Sequence, residues 1–334
     1  MPGRPQTNAR IIEPNIRAAG VLKTEGAVDP FLTAASFVCG LVLGSFLNVC
    51  IYRLPRQLSI SHPRRSFCPD CRQQIRFYDN IPLISWLLLG GRCRYCRESI
   101  SPRYLLVEFL TGLVFLACYW RFGLTLAMLK YCVLAFLLLG LIFTDAETKL
   151  LPDRMTLPGL ALGVAFSLVV PVNDFASQFL PGLVSLPMSS EVSSRLLSLA
   201  DSVLGAAVGA SFIYGAGAIY LRARGIEGMG FGDVKLMAMI GAFLGVKLTV
   251  FTIFTASMAG SIFGLSTILT VWIKRTRRFV RRQASLREAR RRGWRSAQMV
   301  YRHYEMPFGV FLGSMGLLAF FFGNSLLDWY WRLL

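Results

Sequence analysis

The chain has 334 residues, 54% of them hydrophobic, with 36 Lys+Arg against 18 Asp+Glu for a formal charge of +18. A water-soluble fold this apolar could not cover its own surface, and a disordered chain would carry far fewer apolar side chains. Strong apolarity with strong basicity leaves an all-α polytopic membrane protein whose charge is gathered in loops.

Residues 1–28 are mixed and polar, with Pro2, Pro5 and Pro14 and no apolar core segment, which predicts a disordered tail rather than a cleavable signal peptide. Eight apolar stretches follow, at about 29–52, 104–120, 124–143, 156–172, 200–220, 234–246, 248–273 and 306–327. Each is near the roughly 20 residues that a spanning helix needs. The boundary at Gly245-Val246-Lys247 is the least marked. Small-residue pairs at Gly40/Gly44, Gly159/Gly163, Gly205/Gly209, Gly241/Gly245 and Gly309/Gly313 predict close helix packing.

Basic residues set the orientation. The segments 53–103, 144–155, 221–233 with Lys235, and 274–305 hold 27 of the 36 Lys/Arg, and alternation of spans puts all four on one side, the cytoplasmic one. The tail, with Arg4, Arg10, Arg17 and Lys23, then falls outside, against the charge rule but outweighed by ten basic residues in 53–103.

Within 53–103 stand Cys68-Pro69-Asp70-Cys71 and Cys93-Arg94-Tyr95-Cys96. CxxC puts two thiolates on one tight turn, and two such turns complete a closed, all-sulfur zinc site that staples a small domain. The alternatives are a redox role, unligated thiols or two disulfides, the last disfavoured by a reducing cytoplasm. Two histidines far apart, His62 and His303, and the lack of HExxH, GxSxG and P-loop motifs remove the usual metal-hydrolase, serine-hydrolase and nucleotide-binding signals.

Ionisable groups at membrane depth are functional candidates. Asp145 closes the third apolar stretch and Asp233 opens the sixth, inside Gly228-Met229-Gly230-Phe231-Gly232-Asp233. Both fall on the same side at similar depth, where two carboxylates can share a proton and act as base and acid toward a peptide bond. Helix dipoles favour Asp233 as base and Asp145 as acid, because they sit at opposite helix ends. The plainer reading makes both of them helix caps. Asp153 and Asp201 also read as caps, and Glu147 as solvated. Glu108 lies near the same end of the second span.

The run 274–305 carries 12 Lys/Arg. Its position flanking spans favours topology and contact with anionic lipid over nucleic-acid binding, and Arg287 to Arg295, with Trp294, fits an interfacial helix.

The motifs in chain order complete the reading. They are Gly44-Ser45-Phe46-Leu47-Asn48-Val49, Tyr52-Arg53-Leu54-Pro55, the four cysteines, and Tyr78-Asp79-Asn80-Ile81-Pro82-Leu83-Ile84-Ser85-Trp86. Then come Arg103-Tyr104 with Val107-Glu108, Asp145 with Leu150-Leu151-Pro152-Asp153, Gly230-Phe231-Gly232-Asp233-Val234-Lys235-Leu236, and Pro307-Phe308-Gly309. In this order the chain resembles the type 4 prepilin leader peptidases and N-methyltransferases of the GxGD aspartic membrane proteases. The resemblance implies cleavage of basic leaders from prepilins and pseudopilins at the cytoplasmic face of a bacterial inner membrane. It also implies methylation of the new N-terminus from S-adenosylmethionine. It implies catalytic roles for Asp145 and Asp233, and structural zinc on Cys68, Cys71, Cys93 and Cys96.

The implied organisation is a methyltransferase half at 29–120, containing the loop 53–103, and a six-span peptidase half at 121–334. Leu105 and Val310 stand where the family often has Pro, and neither is expected to touch the aspartates. No motif names the methyl-donor pocket; Asn48 and Glu108 are the candidates. A leader peptidase lacking the methylating activity, a transporter using the Asp pair as an ion site, and a zinc-bearing scaffold are the competing functions. The transporter predicts more polar residues at mid-membrane than the spans hold, Lys130 excepted.

Overall fold

A computed structural model describes residues 29–63, 65–172, 190–225, 228–281, 285–302 and 306–333. The expected tail 1–28 lies outside the described residues. The described chain is helical: α1 (Pro30–Arg53), a short α2 (Ile84–Leu88), α3 (Arg103–Phe122), α4 (Leu126–Thr148), α5 (Asp153–Ser167) and α6 (Ser190–Arg224). After these come α7 (Phe231–Arg281), α8 (Leu286–Arg302), α9 (Phe308–Leu318) and α10 (Asn324–Trp331), the last two joined by a π-helical turn at Ala319–Gly323. Six of the described helical segments are long and apolar enough to cross a membrane. The protein is a multi-pass membrane protein.

Helix ends follow local chemistry. Asp29 caps α1 by accepting the Phe31 N–H at 2.8 Å, with Pro30 at the first helical position. Thr125 caps α4 in the same way through the Met128 N–H. That helix stops at Lys149, whose φ is +53° and whose N–H returns to the Asp145 carbonyl. Pro152 then starts α5.

The least marked boundary proves the sharpest. Gly245 has φ +79° and ψ 179°, a conformation open essentially to glycine alone. A Cβ placed on Gly209 of α6 would lie 2.6 Å from the Met237 carbonyl oxygen and 3.1 Å from the Thr249 methyl. Twelve residues of straight helix would separate those two points by about 18 Å. The chain therefore turns back at Gly245, and α7 is two helices side by side, α7a (231–244) and α7b (246–281). With this division, and with the 15-residue α5, the described chain has eight apolar helical segments where about eight were expected.

The small-residue pairs all sit at helix contacts. Gly40 and Gly44 bring α1 onto α3, where a Cβ would meet the Gly112 and Glu108 Cα atoms at 2.8 Å. Gly163 admits Phe243, Gly205 meets Gly241, and Gly313 admits Ile142. The core these contacts close includes Leu134, Leu138 and Leu141 of α4 and Met237, Ile240 and Phe243 of α7a, with Leu138 and Ile240 meeting at Gly316 of α9. As a result the C-terminal ends of α1 and α4 and the N-terminal ends of α3, α5, α7a and α9 share one end of the bundle. The four-cysteine loop leaves from that same end.

Candidate active site

Asp145 lies in the last turn of α4 and Asp233 in the first turn of α7a, at 4% and 8% exposure. Oδ2 of Asp145 accepts the Val310 N–H at 2.9 Å, in the first turn of α9. A Cβ on Gly309 would come 2.9 Å from that same oxygen, so only glycine lets α9 approach. Leu151 packs between Gly309 and Gly232, and so ties α9 to the residue preceding Asp233. The Asp233 N–H returns to Gly230 at 3.1 Å. Gly309 touches Asp145 and Gly232 precedes Asp233, so the Leu151 side chain stands between the backbones that carry and support the two carboxylates. The structure thus brings together two residues 88 positions apart in the sequence.

Several local expectations change. Val310 does touch the pair, through its N–H, contrary to the expectation from sequence. The cause is that helix N-termini carry unpaired N–H groups, and α9 aims its own at Asp145. Asp145, at the C-terminal end of its own helix, therefore also faces a helix N-terminus, and the helix-end argument no longer assigns one aspartate as base and the other as acid. Asp201 is no cap: α6 starts at Ser190, which leaves Asp201 buried inside the helix. Glu147 is ion-paired with Arg103 of α3 rather than simply solvated. Asp153 occupies the first position of α5 and pairs with Lys235 of α7a at 2.6 Å.

The cysteines form the second cluster. The ligand atoms of Cys68, Cys71, Cys93 and Cys96 all lie within 4.8 Å of one another, and the Cys68 and Cys96 sulfurs are 3.8 Å apart. Zinc–sulfur bonds near 2.3 Å give a tetrahedron with edges of about 3.8 Å, so the donor set fits such an ion. Each pair uses the same knuckle. The N–H groups of Cys68 and Cys93 donate to the carbonyls of Gln73 and Glu98, and Arg72 and Arg97 follow at positive φ. Isolated bridges Phe67–Gln74 and Arg92–Ser99 close the two turns, so one is the other displaced by 25 residues. The backbone N–H of Cys96 holds the Cys93 thiol down to about 7, toward the metal-binding form.

Buried Arg53 organises the root of this module, donating to the carbonyls of Ser59, Ile60 and Pro63 at 2.9–3.1 Å. Its only signal in the sequence was membership of a motif. Asn48 and Glu108 meet at a cavity of about 320 Å³ between the module and the ends of α1 and α3.

These features define a multi-pass membrane protein with two buried aspartates at one end of its bundle and a four-cysteine, metal-type module. Residues 38–122 match the bacterial peptidase A24 N-terminal domain, and residues 132–265 match the type IV leader peptidase family. The chain belongs to the type IV leader peptidase family. A prepilin leader peptidase/N-methyltransferase of Aeromonas hydrophila is 32% identical over 320 residues, covering 88% of this chain and 92% of the relative. Proteins of the same description from Neisseria gonorrhoeae and Myxococcus xanthus are 36% and 39% identical. Those matches cover 70% and 73% of this chain, and 81% and 65% of the relatives. No solved structure matches.

Proposed function

We propose that the protein removes leader peptides from type IV prepilins and pseudopilins with Asp145 and Asp233, and then N-methylates the new terminus. The observation that carries this reading is the burial of both carboxylates at one end of the bundle, linked through Leu151. The basic segments gather at that end, which supports a cytoplasmic site in an inner membrane.

In this mechanism the dyad holds one proton between two carboxylates and titrates as a unit. The ionised partner takes a proton from water as the water attacks the scissile carbonyl, and the protonated partner donates to the carbonyl oxygen. Collapse of the tetrahedral intermediate passes a proton to the leaving amine. The Val310 N–H fixes Oδ2 of Asp145, so the carboxyl is held in place before substrate arrives. Cys68, Cys71, Cys93 and Cys96 would hold zinc as a closed structural site with no open position for chemistry. S-adenosylmethionine, when bound, would supply the methyl group that the new terminal amine takes up with loss of a proton, leaving the donor as a neutral thioether. In the proposed division, residues 29–120 serve methylation and 121–334 serve cleavage. Anionic lipid is the proposed contact of the basic run 274–305, where α8 carries its charge.

Co-expression with a prepilin and intact-mass analysis of the product tests the reading. Loss of the leader plus one methyl group supports it; unchanged prepilin overturns it.

A further inference from the structure

We propose that the cavity beside α1 and α3 is the binding site for the S-adenosyl methyl donor, with Asn48 and Glu108 as its polar anchors. This rests on the methyltransferase reading above and assigns it a place.

Three observations carry it. The first is charge. The lining holds four carboxylates, Asp70, Asp79, Glu98 and Glu108, against two guanidiniums, those of Arg53 and Arg94, in a chain whose net charge is +18. Arg94 binds both oxygens of Asp79, so that pair cancels, and the lining keeps three carboxylates, Asp70, Glu98 and Glu108, against Arg53, whose guanidinium is taken up by backbone carbonyls. An acid-lined cavity in a basic protein suits a cationic ligand, and a sulfonium donor is one.

The second is an unmet acceptor. Asn48 is 2% exposed, and its Nδ2 donates to the Tyr104 carbonyl at 3.0 Å, which fixes the orientation of the amide. Oδ1 is left without a hydrogen-bond partner, in a residue that lines the cavity. A buried acceptor left unpaired costs about 1–3 kcal/mol, which a ligand N–H or O–H would recover. Glu108 stands one helix away, its Oε2 held by the Leu83 N–H at 2.8 Å.

The third is shape and place. The volume lies within the range of small-molecule sites, about 300–1,000 Å³, and Trp86, Tyr52 and Tyr104 give it aromatic walls. Tyr104 follows Arg103, which pairs with Glu147 two residues beyond Asp145. The cavity and the helix that carries Asp145 are thus joined across a single ion pair.

The test uses the full chain, zinc-loaded and purified in detergent. Titration with S-adenosylmethionine should show one site per chain in the wild type. Asn48→Leu and Glu108→Gln should each weaken that affinity at least ten-fold, in preparations that still cleave a prepilin. Irradiating the wild type with radiolabelled S-adenosylmethionine should place the label on a peptide containing Trp86 or Tyr104, a result that needs no variant. Unchanged affinity in both variants, or label mapping to 126–331, overturns the site while leaving the methyltransferase reading intact. A basic leader peptide that displaces the donor competitively also overturns it, making the cavity a leader site. A wild type that cleaves yet neither binds the donor nor methylates overturns both.

Discussion

The backbone N–H of Val310 reaches Oδ2 of Asp145 at 2.9 Å, a bond that a proline at position 310 could not make. Position 310 is in the first turn of α9, where proline is sterically acceptable. Val310→Pro should therefore fold and remove one donor from the carboxylate. A hydrogen bond to a charged group is worth about 1.5–3 kcal/mol, so cleavage should slow at least about ten-fold. Initial rates of prepilin conversion check this; an unchanged rate would show that the contact positions nothing.

Replacing either aspartate by Asn keeps the volume and removes the acid–base function. Asp145→Asn and Asp233→Asn should each lower cleavage by about 10²–10⁴ or more, with thermal unfolding in detergent close to wild type. Gel-resolved conversion of prepilin is the measurement. Comparable activity in either variant would leave the dyad without its role.

The knuckles should bind one zinc per chain. Cys68→Ser should lose the metal, and trypsin should then cut between residues 66 and 100, where arginines are frequent. The isolated bridges there are too few to hold the module without its staple. Elemental analysis and peptide mapping report the two effects, and a metal-free wild type with an intact module would contradict the structural role.

The module should also loosen in acid. The Arg94 guanidinium holds the Asp79 carboxyl below the usual carboxylate range. A lowered folded value means that the stabilisation is present above the unfolded value and is lost as pH falls through the folded one. Hydrogen exchange of 76–95 should rise below about pH 4, and Asp79→Asn should flatten that dependence. An identical pH response in the variant would assign the loosening to other groups.

Gly245→Ala places a Cβ where the backbone has φ +79°. Such strain costs of order 1–3 kcal/mol, and α6 packs directly on the turn through Gly205. The unfolding midpoint should fall by several degrees, and cleavage should fall with it because α7a carries Asp233. Thermal scanning in detergent decides; a wild-type midpoint would mean that the reversal tolerates a side chain.

Much of this protein was legible in its sequence because a bilayer imposes strong rules. Apolar stretches of spanning length, glycines four apart and clustered basic residues follow from solvent and charge alone, and they placed α1, α3, α4 and the glycine contacts. The cysteine spacing named a four-sulfur set that the fold then assembled. Asp201 and Glu147 were misread because neither the early start of α6 nor the approach of Arg103 leaves a local trace.

The sequence by itself determined composition-level facts: a helical membrane protein, its charge asymmetry, and two aspartates at one depth. Tertiary structure alone decided what those aspartates face. Depth is a one-dimensional quantity that the order of spans supplies. Contact is three-dimensional, and it depends on glycines at 232, 245 and 309 letting backbones approach. Only that packing turned α7 back on itself, aimed the N-terminus of α9 at Asp145, and left Asn48, at the wall of an acidic cavity, with an unpaired oxygen.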